Sequence, residues 1–259
     1  MKNNRFFAFA LFVGFCFGVS AQTMKSDAKI DGFNGAIKTA TQVVYEAVEE
    51  GQTIRRGEVL ERLQSEYNSK GARRSMTYLN DEENVIFRTR YKHDGFGLTT
   101  LEHILDPAEQ VIGRTYYIYN AQNVLTETYV EDAERQIENR ILIKYDASGR
   151  VAQRSYNDAF NNIYKREVYT YDGRGNVSKT MVYNREGKKI QEFRYEYDEH
   201  SQPITETTYD YTEAEPEALF IIYRYQYDDH GNWVQKAEYI LDGEVLTPQF
   251  ITERELEYF

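Results

Sequence analysis

Cysteine is nearly missing. Cys16 is the single one in 259 residues, so no disulfide framework and no CxxC metal or redox motif can be built. Proline occurs four times and glycine sixteen, while aromatics reach 15%, which excludes a disordered or low-complexity chain. Basic residues number 31 against 42 acidic ones, and a net charge of -11 argues against a nucleic-acid partner, whose phosphates are held by clustered Lys and Arg. After residue 20 no apolar run approaches the roughly 20 residues of a membrane-spanning helix, so no transmembrane helix is expected there. HExxH, GxSxG and EF-hand spacings are also missing. The expectation is a protein without cofactor, metal or catalytic residues.

What is present begins with an address. Lys2 and Arg5 precede an apolar run from Phe6 to Val19 that holds six phenylalanines, and Val19-Ser20-Ala21 offers small residues where a signal peptidase reads. Residues 1–21 therefore read as a signal peptide, and cleavage after Ala21 would remove Cys16. The destination is periplasmic, cell-surface or secreted.

Beyond it an aromatic-plus-turn signature recurs seven times: YNSKG from Tyr67, YKHDG from Tyr91, YNAQN from Tyr119, YDASG from Tyr145, YDGRGN from Tyr171, YDEHS from Tyr197 and YDDHGN from Tyr227. The tyrosines lie 24, 28, 26, 26, 26 and 30 residues apart. A weaker aromatic recurs within the units at Tyr78, Tyr129, Tyr156, Tyr183, Tyr209 and Tyr239, so each unit reads as two strands and two turns. An Asp or Asn opening the turn can accept from the amide two residues on, and a Gly three residues later closes it in the left-handed region. Asp146 with Gly149, Asp172 with Gly175 and Asp228 with Gly231 fit this scheme, and Asn176 and Asn232 follow two of those glycines. Asp198 opens a turn without glycine. Between turns the period is two: Phe193, Tyr195 and Tyr197 alternate with Glu192, Arg194 and Glu196, and Ile141, Ile143 and Tyr145 repeat the pattern.

The repeats YDASG, YDGRGN and YDDHGNW resemble the YD-repeat, or RHS-repeat, family of bacterial exported proteins over residues 67–259. That resemblance implies antiparallel β-repeats, cell-surface or secreted placement and a loose association with sugar binding. It transfers no catalytic residue, because the matching positions are turn and packing residues. The resulting expectation is an all-β protein, an antiparallel β-hairpin repeat array forming a curled or spiral single sheet of about seven units of ~26 residues. It is divided into a signal peptide (1–21), an N-terminal capping segment (22–66) and the repeat domain (67–259). In the capping segment Ile37, Ala40, Val44 and Val48 would suit a helical face, but Val43, Tyr45 and Ala47 alternate as well, and a strand pair is favoured.

Candidate chemistry is thin. His200 and His230 share a turn position but would present themselves in a row, which suits exposed turn residues better than a metal's converging ligands. Glu206, Asp210, Glu238 and Glu244 could supply the carboxylate pair of a glycosidase. The leading tyrosines read first as inward packing and second as platforms for sugar rings, and Trp233 reads as a cover for the last unit. The expected function is therefore a non-catalytic binding or assembly module whose partner is a protein or carbohydrate at the cell envelope. An exported hydrolase and a small outer-membrane barrel are the alternatives. Against the barrel stand Glu255 and Glu257, at alternating positions where lipid-facing residues belong.

Overall fold

A computed structural model describes residues 26–259, apart from position 214. The proposed signal peptide lies outside the described residues. One short helix, α1 (Asp27–Ile30), precedes sixteen strands: β1 (Ile37–Glu50), β2 (Thr53–Tyr67), β3 (Arg73–Leu79), β4 (Val85–His93), β5 (Thr99–Leu105), β6 (Val111–Tyr119), β7 (Leu125–Asp132) and β8 (Ile137–Tyr145). The second half holds β9 (Val151–Asp158), β10 (Ile163–Tyr171), β11 (Val177–Asn184), β12 (Lys189–Tyr197), β13 (Pro203–Asp210), β14 (Glu217–Tyr227), β15 (Trp233–Asp242) and β16 (Val245–Tyr258).

Every strand pairs antiparallel with its sequence neighbours, and β1 also pairs with β16 from Ile37↔Tyr258 to Glu46↔Phe250. The sheet is a closed barrel. This corrects the expected open, curled or spiral sheet. Residues 37–67 supply two further strands, and β1 satisfies both the free edge of β16 and that of β2. Closure pairs the two end strands of the array, whose edges an open sheet would have to protect. A circular ring of sixteen strands, about 4.8 Å apart and tilted by about 40°, measures about 30 Å between opposite walls.

One turn geometry recurs on both rims. On the first rim the turns open at Asn68, Asp94, Asn120, Asp146, Asp172, Asp198 and Asp228. The amide of the first residue donates to the carbonyl of the fifth and the amide of the fourth to the carbonyl of the first, as in Asp146 N to Arg150 O at 2.8 Å and Gly149 N to Asp146 O at 3.0 Å. The Asp146 carboxylate also accepts from the amides of Ser148 and Arg150, at 2.8 and 2.9 Å. On the opposite rim the same bonds close turns opening at Asn80, Asp106, Asp132, Asp158 and Asn184. Counted on these opening residues, the interval is 26 throughout from Asn68 to Asp198. The irregular 24 and 28 of the tyrosine count arise because Tyr91 stands three residues before its turn and His93 occupies the position that tyrosine holds elsewhere.

Alternation sorts the side chains into two walls. Tyr67, Thr89, Tyr91, Glu102, Tyr117, Glu206, Tyr223, Lys236, Glu238 and Arg254 share one face by register. On the same face Ala40, Tyr67, Leu256 and Tyr258 pack with Phe33 and Ala28 of the segment before β1. The side chains of Arg73, Lys236 and Glu238 there are 20%, 20% and 17% exposed, whereas Arg90, Arg194 and Glu257 on the other face are 54%, 52% and 54% exposed. The first face lines the lumen and the second faces outward.

Candidate functional site: the lumen and its rim

The signature residues gather on one rim. Tyr145, Tyr171 and Tyr197 each end a strand, and their hydroxyls donate to the carbonyls of Leu125, Val151 and Val177 at 2.6, 2.7 and 2.7 Å. Tyr119 does the same to Thr99 at 2.9 Å. Each acceptor opens the neighbouring strand, so the hydroxyl caps a rim carbonyl in the lumen wall. Tyr227 and Tyr258 instead donate to the carboxylates of the preceding turns, Asp198 and Asp228, at 2.5 and 2.6 Å. His200 and His230 stack on those two rings, 4.2 and 4.3 Å between centroids. Their shared turn position thus serves a stacking role.

Tyr67 has no preceding unit to reach, and His93, in the second unit, has no hydroxyl with which to reach one. The segment before β1 supplies the missing carboxylates: Tyr67 Oη donates to Asp31 Oδ2 at 2.5 Å, and His93 Nε2 lies 2.9 Å from Asp27 Oδ2. Arg73 pairs with Asp31 as well. On the other side of the seam Asn34 N donates to Asn232 Oδ1 at 2.6 Å and Asn232 Nδ2 returns a bond to Asn34 O at 3.0 Å. Residues 26–36 therefore strap the inner rim where the barrel closes. Arg254 fills the space beneath, its guanidinium 3.4 Å from the Trp233 ring centroid and 5.0 Å from that of Phe33. Burial lowers its pKa to about 9. Trp233 is buried in this seam rather than lying over a terminal unit.

Deeper in the lumen, carboxylates are held by tyrosines in three places. Glu102 accepts from Tyr117 at 2.9 Å and from Tyr91 at 3.4 Å. Glu167 accepts from Tyr156 and Tyr169 at 2.7 and 2.5 Å and pairs with Lys165 at 2.9 Å. Glu206 accepts from Tyr223 at 3.0 Å, and Tyr223 in turn faces Glu238 across the β14–β15 ladder. Burial raises the carboxyls of Glu102 and Glu206 above the usual carboxylate range. Burial pushes Glu167 the same way, but its two tyrosine hydroxyls and Lys165 outweigh that and hold it below the ordinary value. Lys236, 3.6 Å from Glu238, is lowered by burial.

Of the four acids proposed from sequence, Glu206 and Glu238 lie on either side of Tyr223 in the lumen wall, whereas Asp210 shares their face by register but stands at the far end of β13. Asp210 caps the turn that follows it through Thr212, and Glu244 sits in the exposed β15–β16 hairpin. Sequence reading missed Glu102, Glu167 and Lys236, because a strand's alternation names a face without saying whether that face is enclosed. Glu255 and Glu257 do face outward, opposite Thr41 and Thr39.

No protein-family model matches the chain, and no curated protein matches it. Among solved structures it is similar to a porin-like protein from Bacteroides uniformis. The TM-score is 0.53 and the identity 8%, over 87% of this chain and 98% of that one. A second match, to the complex TcdB2-TccC3-Cdc42, has a TM-score of 0.35 and 11% identity over 79% of this chain and 14% of that one. The first likeness concerns the fold. It agrees with the closed barrel and backs the barrel alternative better than the open binding array.

Proposed function

We propose that this chain is a β-barrel of the cell envelope that works through its lumen, holding or passing a polar solute without transforming it, with its outer wall in water. The observation that carries this reading is the row of charged side chains along the middle of the outer wall. Near the strand centres the outward face presents Arg88, Arg114, Arg140, Arg166 and Arg194, with Glu192 buried beneath its partners Lys189 and Arg194. Arginine on the lipid face of a barrel costs about 2–4 kcal/mol at the bilayer midplane, and a belt of them on alternate strands leaves no apolar band. The strands from β3 to β13 are also only 7–9 residues long, at or below the lower end of the ~9–11 residues that cross a bilayer at a tilt. The inner wall offers tyrosine hydroxyls and carboxylates suited to a hydrated solute.

A second reading, a pore through the outer membrane, is favoured by the closed sixteen-strand wall and the porin-like fold. Cell fractionation separates the two. Release by osmotic shock, without detergent, is expected for the water-bathed barrel. Retention in carbonate-washed membranes together with channel conductance in a planar bilayer would overturn it in favour of the pore.

A further inference from the structure

The β1–β2 hairpin is longer than the wall that carries it. Pairing of β1 with β16 stops at Glu46↔Phe250, but pairing with β2 runs on to Glu50↔Thr53. Two register shifts near Tyr45 bend the hairpin, and Gly57 permits the bend. A Cβ there would meet Val48 Cγ2 at 2.9 Å and the Glu46 carbonyl oxygen at 3.1 Å. The tip, Glu49 to Ile54, lies against the outer face of β14–β16 and encloses a groove of about 540 Å³. That volume falls within the range of about 300–1,000 Å³ typical of small-molecule sites.

The lining is chemically mixed. Arg224 presents an exposed guanidinium, held over the Tyr239 ring at 4.8 Å and paired with no carboxylate among the described residues. Glu49 is the opposing charge, so the two formal charges of the lining cancel. Gln52, Gln226 and Gln235 add amides that both donate and accept, and Ala237, Leu246 and Pro248 supply an apolar floor. A ligand suited to this lining carries closely spaced hydroxyls, no net charge and one face of C–H groups. An added peptide strand suits it poorly, because exposed Glu46, Glu49 and Glu50 guard the free edge of β1 and Pro248 lacks an amide proton.

We infer that this groove, on the outer wall and separate from the lumen, is a binding site for a neutral saccharide of one or two rings. Arg224 and Glu49 bracket its hydroxyls, and the Ala237–Leu246–Pro248 floor receives its apolar face. The test is calorimetric titration of the full chain with maltose, cellobiose and N,N′-diacetylchitobiose, alongside glucuronate and an unrelated peptide. Saturable binding of at least one neutral disaccharide is expected, weakened tenfold or more by Arg224→Met and by Glu49→Ala, and unchanged by Ile118→Ser on a distant part of the outer wall. Circular dichroism of each variant establishes that the barrel is intact; Arg224 and Glu49 are exposed, so both variants should fold. No binding by any neutral sugar, tighter binding of glucuronate or of the peptide, or indifference to both groove variants would each overturn the assignment.

Discussion

The Tyr258 hydroxyl donates to Asp228 Oδ2 at 2.6 Å while His230, two residues beyond that aspartate, stacks on the Tyr258 ring. This couples the last strand to the last turn, and the Tyr227, Asp198 and His200 group repeats it one unit earlier. Burial pushes the Asp228 carboxyl up, but the Tyr258 hydroxyl and the amides of Asn232 and His230 outweigh it and hold it low. A depressed carboxyl stabilises the folded state above its unfolded pKa, and that stability is lost as pH falls through the folded value. Tyr258→Phe should therefore cost about 1–2 kcal/mol at pH 7, with the difference from the native chain shrinking toward pH 3. Urea midpoints across that range check it, and a pH-independent difference would locate the effect in packing alone.

Glu206 has the opposite sign. Burial raises its carboxyl, so the folded barrel prefers the protonated form; the associated stability is present below the unfolded pKa and lost as pH rises through the folded one. Glu206→Gln keeps a carbonyl for Tyr223 and removes the buried charge. We expect a higher unfolding midpoint than the native chain at pH 7 and near equality at pH 4.

Gly175 adopts φ +90° with nothing within 4 Å of a Cβ, so its requirement is purely a backbone one. Gly175→Val should destabilise by about 1–2 kcal/mol. Ser201 holds the same turn position at φ +61°, and Ser201→Gly should stabilise by a few tenths to about 1 kcal/mol. Thermal melts of the two variants should move in opposite directions.

Removing the 26-residue stretch from Tyr145 to Thr170 would leave repeats that still match in an open array. In a closed barrel it takes away two strands, and the remaining fourteen must close with a new stagger and tilt. Loss of a cooperative melt or an insoluble product is expected, whereas a folded, shorter protein would show that closure is dispensable.

Replacing Arg114, Arg140 and Arg166 together by Leu creates an apolar patch on the outer wall. In water such a patch promotes association, so sedimentation should show aggregation of a chain whose native form stays dispersed. Improved recovery in detergent micelles with unchanged dispersion in buffer would instead favour the membrane reading.

The sequence by itself determined the strands and one rim. Period-two alternation in Phe193–Tyr197 and the Asp146–Gly149 turn are local, so they were legible without a partner. The opposite rim was hidden because Glu83, Glu109, Arg135 and Asn161 take the left-handed position there, at φ from 63° to 65°, and these side chains do not announce a turn as glycine does. Closure was decided only by tertiary structure. Whether Ile37–Glu46 meets β16 depends on accumulated twist and stagger over the whole ring, and no single unit encodes that sum. The same closure decided which alternating face became a lumen, and so turned Glu102, Glu167 and Glu206 from ordinary strand acids into buried, tyrosine-held groups.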